Sequence, residues 1–143
     1  MTGLPNPEPL GAMSNPVPFE ISPTVSELTA GIIAIGGVLL YDASGMTLEF
    51  RTTTSRMTVS EVRTVTVPLS DLASVRYHRR LVTAQLVLSG VRLDVFREIA
   101  GTDDNRLELR IRRRDRSAAR RACWDLQVAV EDRKLKHLRE EPQ

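Results

Sequence analysis

The chain has little of what enzymes and secreted proteins are built on. Of its 143 residues one is cysteine, Cys123, and two are histidine, His78 and His137. A single cysteine excludes an intrachain disulfide and gives no sign of an oxidising compartment, so a cytoplasmic setting is expected. No Cys/His spacing supports zinc. Neither histidine stands beside a carboxylate or nucleophile motif, which leaves general acid–base chemistry without its usual parts. Cys123 would need a nearby base and an exposed electropositive site to act as a nucleophile, and its place on a predicted helix points it inward. "GIIAIGG" lacks the Gly-Lys-Ser/Thr ending of a phosphate-binding loop, and "GTDDN" offers too few oxygen ligands for calcium. No catalytic residue, cofactor or metal is expected.

Long apolar runs are missing too. The longest, "AGIIAIGGVLLY" from Ala30 to Tyr41, falls short of the roughly 20 residues of a spanning helix, and no basic segment precedes an apolar one at the N-terminus. Lysine is scarce, with 2 against 18 arginines. Such a skew can reflect coding bias, so position must carry any argument about arginine. Net charge is only +2, which describes a local basic cluster on a balanced chain and excludes a protein basic all over.

Six prolines fall within the first 23 residues, with few apolar side chains to offset ordering entropy. Residues 1–24 are therefore expected to form a disordered proline-rich arm, with some of Phe19 to Val25 able to dock. Residues 25–138 form the folded domain, and 139–143 a flexible tail.

Within the domain the pattern is one of short strands. "GGVLLY", "DASG" and "MTLEFRTTT" read as a hairpin with Met46, Leu48 and Phe50 on one face. "EVRTVTV" is rich in β-branched residues and stops at Pro68; "PLSD" turns the chain into "LASVRYHRR". "LVTAQLVL" and "VRLDVF", joined by "SG", make a further pair, and "RLELRIR" closes the count near seven with Leu107, Leu109 and Ile111 facing one way. The period then changes. Ala119, Ala122, Cys123, Leu126, Ala129 and Val130 follow helical spacing, with Asp115 placed as a cap, and the charged segment after Val130 is expected to fray. The expected core includes Leu48, Phe50, Leu109, Ile111, Cys123, Trp124 and Leu126.

About seven antiparallel strands followed by one C-terminal helix carrying Trp124 resemble the pleckstrin-homology (PH) domains, in their plainer bacterial form. The resemblance spans about Gly31 to Leu138. It implies a mainly β fold, a seven-stranded orthogonal sandwich or partly open barrel capped by the C-terminal helix, with a helical tryptophan packed on the sheets. Phosphoinositide-binding members carry a lysine or arginine series at the end of the first strand and along the second. In the alignment that the resemblance suggests, those positions read "LLYDASGMTLEFR", with Asp42 and Glu49 where cations are wanted and a solitary Arg51. The other rim loops would contribute Asp71, Asp103 and Asp104, so a phosphoinositide at the usual site is not expected.

Arginines gather elsewhere, in Arg56, Arg79, Arg80 and the run from Arg112 to Arg121. One reading is a solvated corner. Arg110 and Arg112 take the wet face of the last strand, Arg113 and Arg114 its exit, and Arg120 and Arg121 the wet side of the helix, with Asp115 and Asp125 as local counter-ions. The other is an anion-binding surface for acidic lipid or nucleic acid, made by Arg56, Arg79, Arg80, Arg112, Arg113, Arg114 and Arg116. Only six aromatic residues are present, which gives little for base stacking. The sequence thus favours a noncatalytic cytoplasmic binding or scaffolding module, engaging a protein partner or a second copy through a strand edge or the groove beside the helix. The anion-binding adaptor stands as the alternative.

Overall fold

The computed structural model describes residues 16–99 and 105–140. Seven strands, β1 (Val17–Ile21), β2 (Ile32–Asp42), β3 (Gly45–Thr54), β4 (Arg63–Pro68), β5 (Leu72–Arg79), β6 (Ala84–Gly90) and β7 (Arg106–Ile111), pair in the order β4-β3-β2-β1-β7-β6-β5. Every pairing is antiparallel. A short helix α1 (Val25–Thr29) interrupts the β1–β2 connection, and a long helix α2 (Arg116–Glu140) ends the fold. This is a mainly β chain whose sheet behaves as an open barrel capped by its C-terminal helix, with β4 and β5 as edges.

Period-two patterning puts the core where the sequence predicts it. In β7, Leu107, Leu109 and Ile111 are buried while Arg106, Glu108 and Arg110 are exposed; in β3, Met46, Leu48 and Phe50 point inward. Each such side chain contributes about 1.5–3 kcal/mol by leaving water. From α2, Ala119, Ala122, Leu126 and Val130 complete the core, the alanines letting the helix approach the strands closely. Cys123 is half-buried against this cluster.

The β2–β3 hairpin forms at "DASG" as predicted. Asp42 Oδ1 accepts the Ser44 amide at 2.8 Å and its hydroxyl at 2.6 Å, an arrangement that holds the Asp42 carboxyl below its usual range. Gly45 has φ +147°, and a Cβ there would collide with the Val67 carbonyl. Gly37, between β1 and β3, leaves no room for a side chain either, because a Cβ would strike the Glu49 carbonyl and Phe50 Cα.

Five expectations are corrected, the last of them the Asp115 cap. The arm does not reach residue 24, because Val17–Ile21 is a strand inside the sheet, paired with β2 from Val17↔Leu39 to Ile21↔Ile35, and Val17, Phe19 and Ile21 are buried. Pro18 is tolerated since its level on the β7 side is position 112, past the end of β7. Residues 1–15 lie outside the described residues. "VRLDVF" is not a strand but a series of turns, in which Phe96 and Ile99 are buried and Arg92 bonds both Asp71 and Asp94. The count of seven therefore holds with a different set of strands. Trp124 is not in the core. It is 71 % exposed, because the inward face of α2 is set by Ala119, Ala122, Leu126 and Val130. Finally, α2 runs through Arg139 to Glu140, so the tail starts later than expected; residues 141–143 lie outside the described residues.

Asp115 ends a 3-10 turn, Arg113–Asp115, directly before α2. Its Oδ2 is buried with no hydrogen-bond partner among the described residues, and Arg114 Nε stands 4.0 Å away, so the expected side-chain cap through this oxygen is not formed.

Candidate functional site

An open sheet leaves two strands with one row of main-chain groups unpaired, and the two edges are treated differently here. The Arg80 amide bonds the Thr83 carbonyl at 2.8 Å, which sets the alternation of the β5–β6 pairing. Ala73, Val75, Tyr77 and Arg79 consequently turn their main-chain groups away from β6. Helix α2 covers the first two. Gln127 Oε1 accepts the Val75 amide at 2.7 Å, the Cys123 thiol donates to the Val75 carbonyl at 3.4 Å, and Lys134 Nζ donates to the Ala73 carbonyl at 2.9 Å. Burial pushes the Cys123 thiol up, away from the thiolate a nucleophile needs.

The β4 edge is bare. The Leu69 amide bonds the Ser44 carbonyl at 2.9 Å, so Arg63, Val65 and Val67 exchange main-chain bonds with β3, and Thr64, Thr66 and Pro68 face outward. Pro68 has no N–H to offer. The amides of Thr64 and Thr66 have no partner among the described residues. Val65 and Val67 are buried beneath them, which fixes the strand's register.

The predicted arginines divide into two groups. The register places Arg51, Gly36, Glu20, Arg110, Gln85 and His78 in one row across five neighbouring pairings on the outer face of the sheet. Glu20 is the pivot of that row. Arg110 Nη2 bonds its Oε1 at 2.6 Å and Arg112 Nη2 its Oε2 at 2.8 Å, and these two guanidiniums hold the Glu20 carboxyl below its usual range. Arg80 Nη2 bonds Gln85 Oε1 at 3.0 Å, and Gln85 Nε2 bonds Glu108 Oε1 at 2.8 Å. Arg116 Nη1 reaches the Arg80 carbonyl at 3.3 Å, joining the start of α2 to the β5–β6 turn. These bonds tie Arg80, Arg112 and Arg116 to one end of the barrel, with Arg79, Arg113 and Arg114 next to them in the chain; of the six, Arg80 alone lines the open cleft of about 430 Å³ that it shares with Glu20, Gln85, Glu108 and Arg110. Arg56 does not join them. It sits in the β3–β4 loop, where the Ser55 amide bonds the Gly31 carbonyl, beyond the Ile21 end of β1, whereas position 112 is level with Pro18 at the other end.

That opposite end has a character the sequence does not announce. Helix α1 is held by a capping box between Thr24 and Glu27 and buries none of its residues. Its Val25 and Leu28 are exposed, as are Met57, Val59 and Val62 of the adjoining β3–β4 loop. Met57 carries φ +64° at the last position of the turn that follows β3. A second exposed apolar feature runs along α2 and includes Trp124.

Among the described residues there is no group of three or more His, Cys, Asp or Glu placed to hold a metal, and no helix long and apolar enough to cross a membrane. Asp103 and Asp104 lie outside the described residues. No protein-family model, no curated protein and no solved structure matches the chain.

Proposed function

We propose that this chain is a noncatalytic, PH-like binding module that takes up an extended segment of a partner protein as an added strand on β4. The observation that carries the reading is the asymmetry of the edges. α2 satisfies the outward amide and carbonyl of Val75 on β5, while the amides of Thr64 and Thr66 on β4 are left open. Main-chain bonds supply affinity in strand addition, and alternate side chains supply choice of partner. β4 suits this role because its inward valines hold the edge still while its outward threonines are small and polar.

The linear order of seven antiparallel strands ending in a capping helix supports the PH-like reading. With Val17–Ile21 as the first strand, "DASG" joins the second and third strands, and "VPLSD" the fourth and fifth, so the rim assignment moves to other loops. The first strand, its connection and the second strand, residues 17–42, contain no lysine or arginine, which speaks against a phosphoinositide at the usual position. A single half-buried cysteine suits the reducing cytoplasm.

The test is affinity capture from the source cell with the intact chain, wild type against Thr66→Pro. Proline removes the outward N–H while leaving the bonds between β4 and β3 in place. A partner held by wild type and by Gln127→Ala but lost with Thr66→Pro supports the edge. Equal capture by wild type and Thr66→Pro overturns it.

A further inference from the structure

We infer that the groove between the C-terminal half of α2 and the β4–β5 corner receives an acidic, apolar stretch of the same partner, lying just N-terminal to the segment that adds to β4. The inference rests on the strand-addition reading and gives the partner its chemistry. The inward face of α2 buries Ala119, Ala122, Leu126 and Val130, and the positions three, four and seven residues past Val130 on that face are Arg133, Lys134 and His137. Gln127 reaches Val75 and Lys134 reaches Ala73, so the helix comes to the start of β5 at Lys134 and overhangs it from there. Beside the overhang lies an open groove of about 470 Å³. Its apolar lining is Leu69, Leu72, Val91, Val130 and Leu138. Its titratable lining is Arg133, Lys134 and His137, and among the described residues no carboxylate joins them.

The charge of the lining selects the occupant. Arg133 makes no ion pair or hydrogen bond among the described residues, and the acceptor of Lys134 Nζ is the neutral Ala73 carbonyl, so neither charge is compensated. The carboxylates on the elements packed there are engaged elsewhere: Asp71 holds Arg92 at 3.0 Å, Asp132 holds Lys136 at 3.7 Å and Glu131 accepts from Gln127 at 2.7 Å. An apolar lining beside uncompensated cations takes a large apolar side chain with Asp or Glu next to it. Val91 and Leu138 keep 52 and 64 % of their surface in water, so the groove covers one face of an occupant. That is short of the roughly 70–90 % that small-molecule sites bury, and a peptide is the class that fits. Position gives the direction. Leu69 directly follows Pro68, the last residue of β4, and every pairing in the sheet is antiparallel. A segment laid antiparallel on β4 has its N-terminal end at Pro68, so the residues preceding it are the ones nearest Leu69.

Selection of a random phage-displayed peptide library on the intact chain, followed by fluorescence anisotropy of the enriched peptides, tests this. The expected sequences carry Asp or Glu beside a large apolar residue, N-terminal to a β-branched stretch. Arg133→Glu, at an exposed position, weakens their binding by about fivefold or more, the scale of an exposed ion pair turned to repulsion. Reselection on that variant replaces the acidic residues by Lys or Arg. Thr66→Pro removes the preference for the β-branched stretch and keeps that for the acidic one. A β-branched stretch enriched alone, or the same acidic peptides bound equally by Arg133→Glu, overturns the inference and leaves the β4 edge standing. Acidic, apolar peptides enriched with no β-branched stretch, and indifferent to Thr66→Pro, overturn the edge reading and keep the groove. A dimer seen in sedimentation velocity and lost with Arg133→Glu gives the groove to a second copy and overturns the inference. Binding that appears only with Asp103→Asn and Asp104→Asn combined overturns it as well, by assigning the cations to the chain's own carboxylates.

Discussion

Gln127 on α2 accepts the main-chain amide of Val75 at 2.7 Å and so closes from the side an edge that the sheet leaves open. Its Nε2 simultaneously holds Glu131, so one side chain ties a strand edge to the helix surface. Gln127→Ala leaves the partly buried Val75 amide unpaired and is expected to cost about 1–2 kcal/mol of unfolding free energy. Hydrogen exchange at Val75 should rise with it. Urea denaturation and amide exchange check both, and an unchanged exchange rate at Val75 would show that another group or water takes over the bond.

Glu20 joins β1 to β7 by charge as well as by register. The Arg112 and Arg110 hydrogen bonds lower its folded-state value below the usual 4.5, so its stabilising contribution is present above 4.5 and is lost as pH falls through the lower folded value. Glu20→Gln should therefore lie about 0.2–1 kcal/mol below wild type near neutral pH, with the difference closing in acid. Urea midpoints measured at about pH 7 and about pH 3 decide this. A gap that widens in acid would mean that the pairing has been given the wrong sign.

How much was legible in the sequence depends on whether local pattern or tertiary context set each element. The "DASG" hairpin, the inward Leu107, Leu109 and Ile111, and the buried stripe of α2 follow from period alone, and the structure has them. β1 was hidden by Pro16, Pro18 and Pro23 around it, although Val17, Phe19 and Ile21 alternate correctly; only the early end of β7 makes Pro18 harmless. "VRLDVF" imitates alternation, yet Gly90 and the Arg92 bonds to Asp71 and Asp94 turn the chain there, and Phe96 and Ile99 enter the core at helical spacing. A large apolar residue such as Trp124 beside a buried stripe reads as buried, whereas its angle on the helix puts it in water. The open edge of β4 cannot be read from residues 63–68 at all, since it depends on which strand fails to arrive beside them.

Met57 occupies the last position of a tight turn in which the Met57 amide bonds the Thr54 carbonyl at 2.8 Å and the Thr54 amide bonds the Thr58 carbonyl at 2.9 Å. Glycine is the usual residue at such a left-handed position, and a β-carbon there costs about 1–2 kcal/mol. With the side chain 73 % exposed, little packing offsets that cost. Met57→Gly should raise stability by roughly 0.5–1 kcal/mol after the added chain entropy of glycine is subtracted. A lower urea midpoint would show that Met57 packs on its neighbours in solution.

The basic end of the barrel provides the sharpest contrast between strand addition and anion binding. Arg110 and Arg112 are already engaged by Glu20, and Arg116 reaches the Arg80 carbonyl, which leaves Arg79, Arg113 and Arg114 as its least engaged cations. Phosphate-backbone affinity requires several cations on one surface and falls steeply with salt. A binding module that works through β4 should show no salt-sensitive attachment to anionic vesicles or DNA, in wild type or with Arg113→Glu, Arg114→Glu and Arg116→Glu combined. Attachment by wild type that salt and the triple reversal both abolish would transfer the function to this end, and Glu20→Gln would then strengthen it by freeing Arg110 and Arg112. Arg56→Glu is the internal control. Lying beyond the opposite end of β1, it should leave any such attachment unchanged, and a loss equal to that of the triple reversal would mean that the binding follows net charge and not a site.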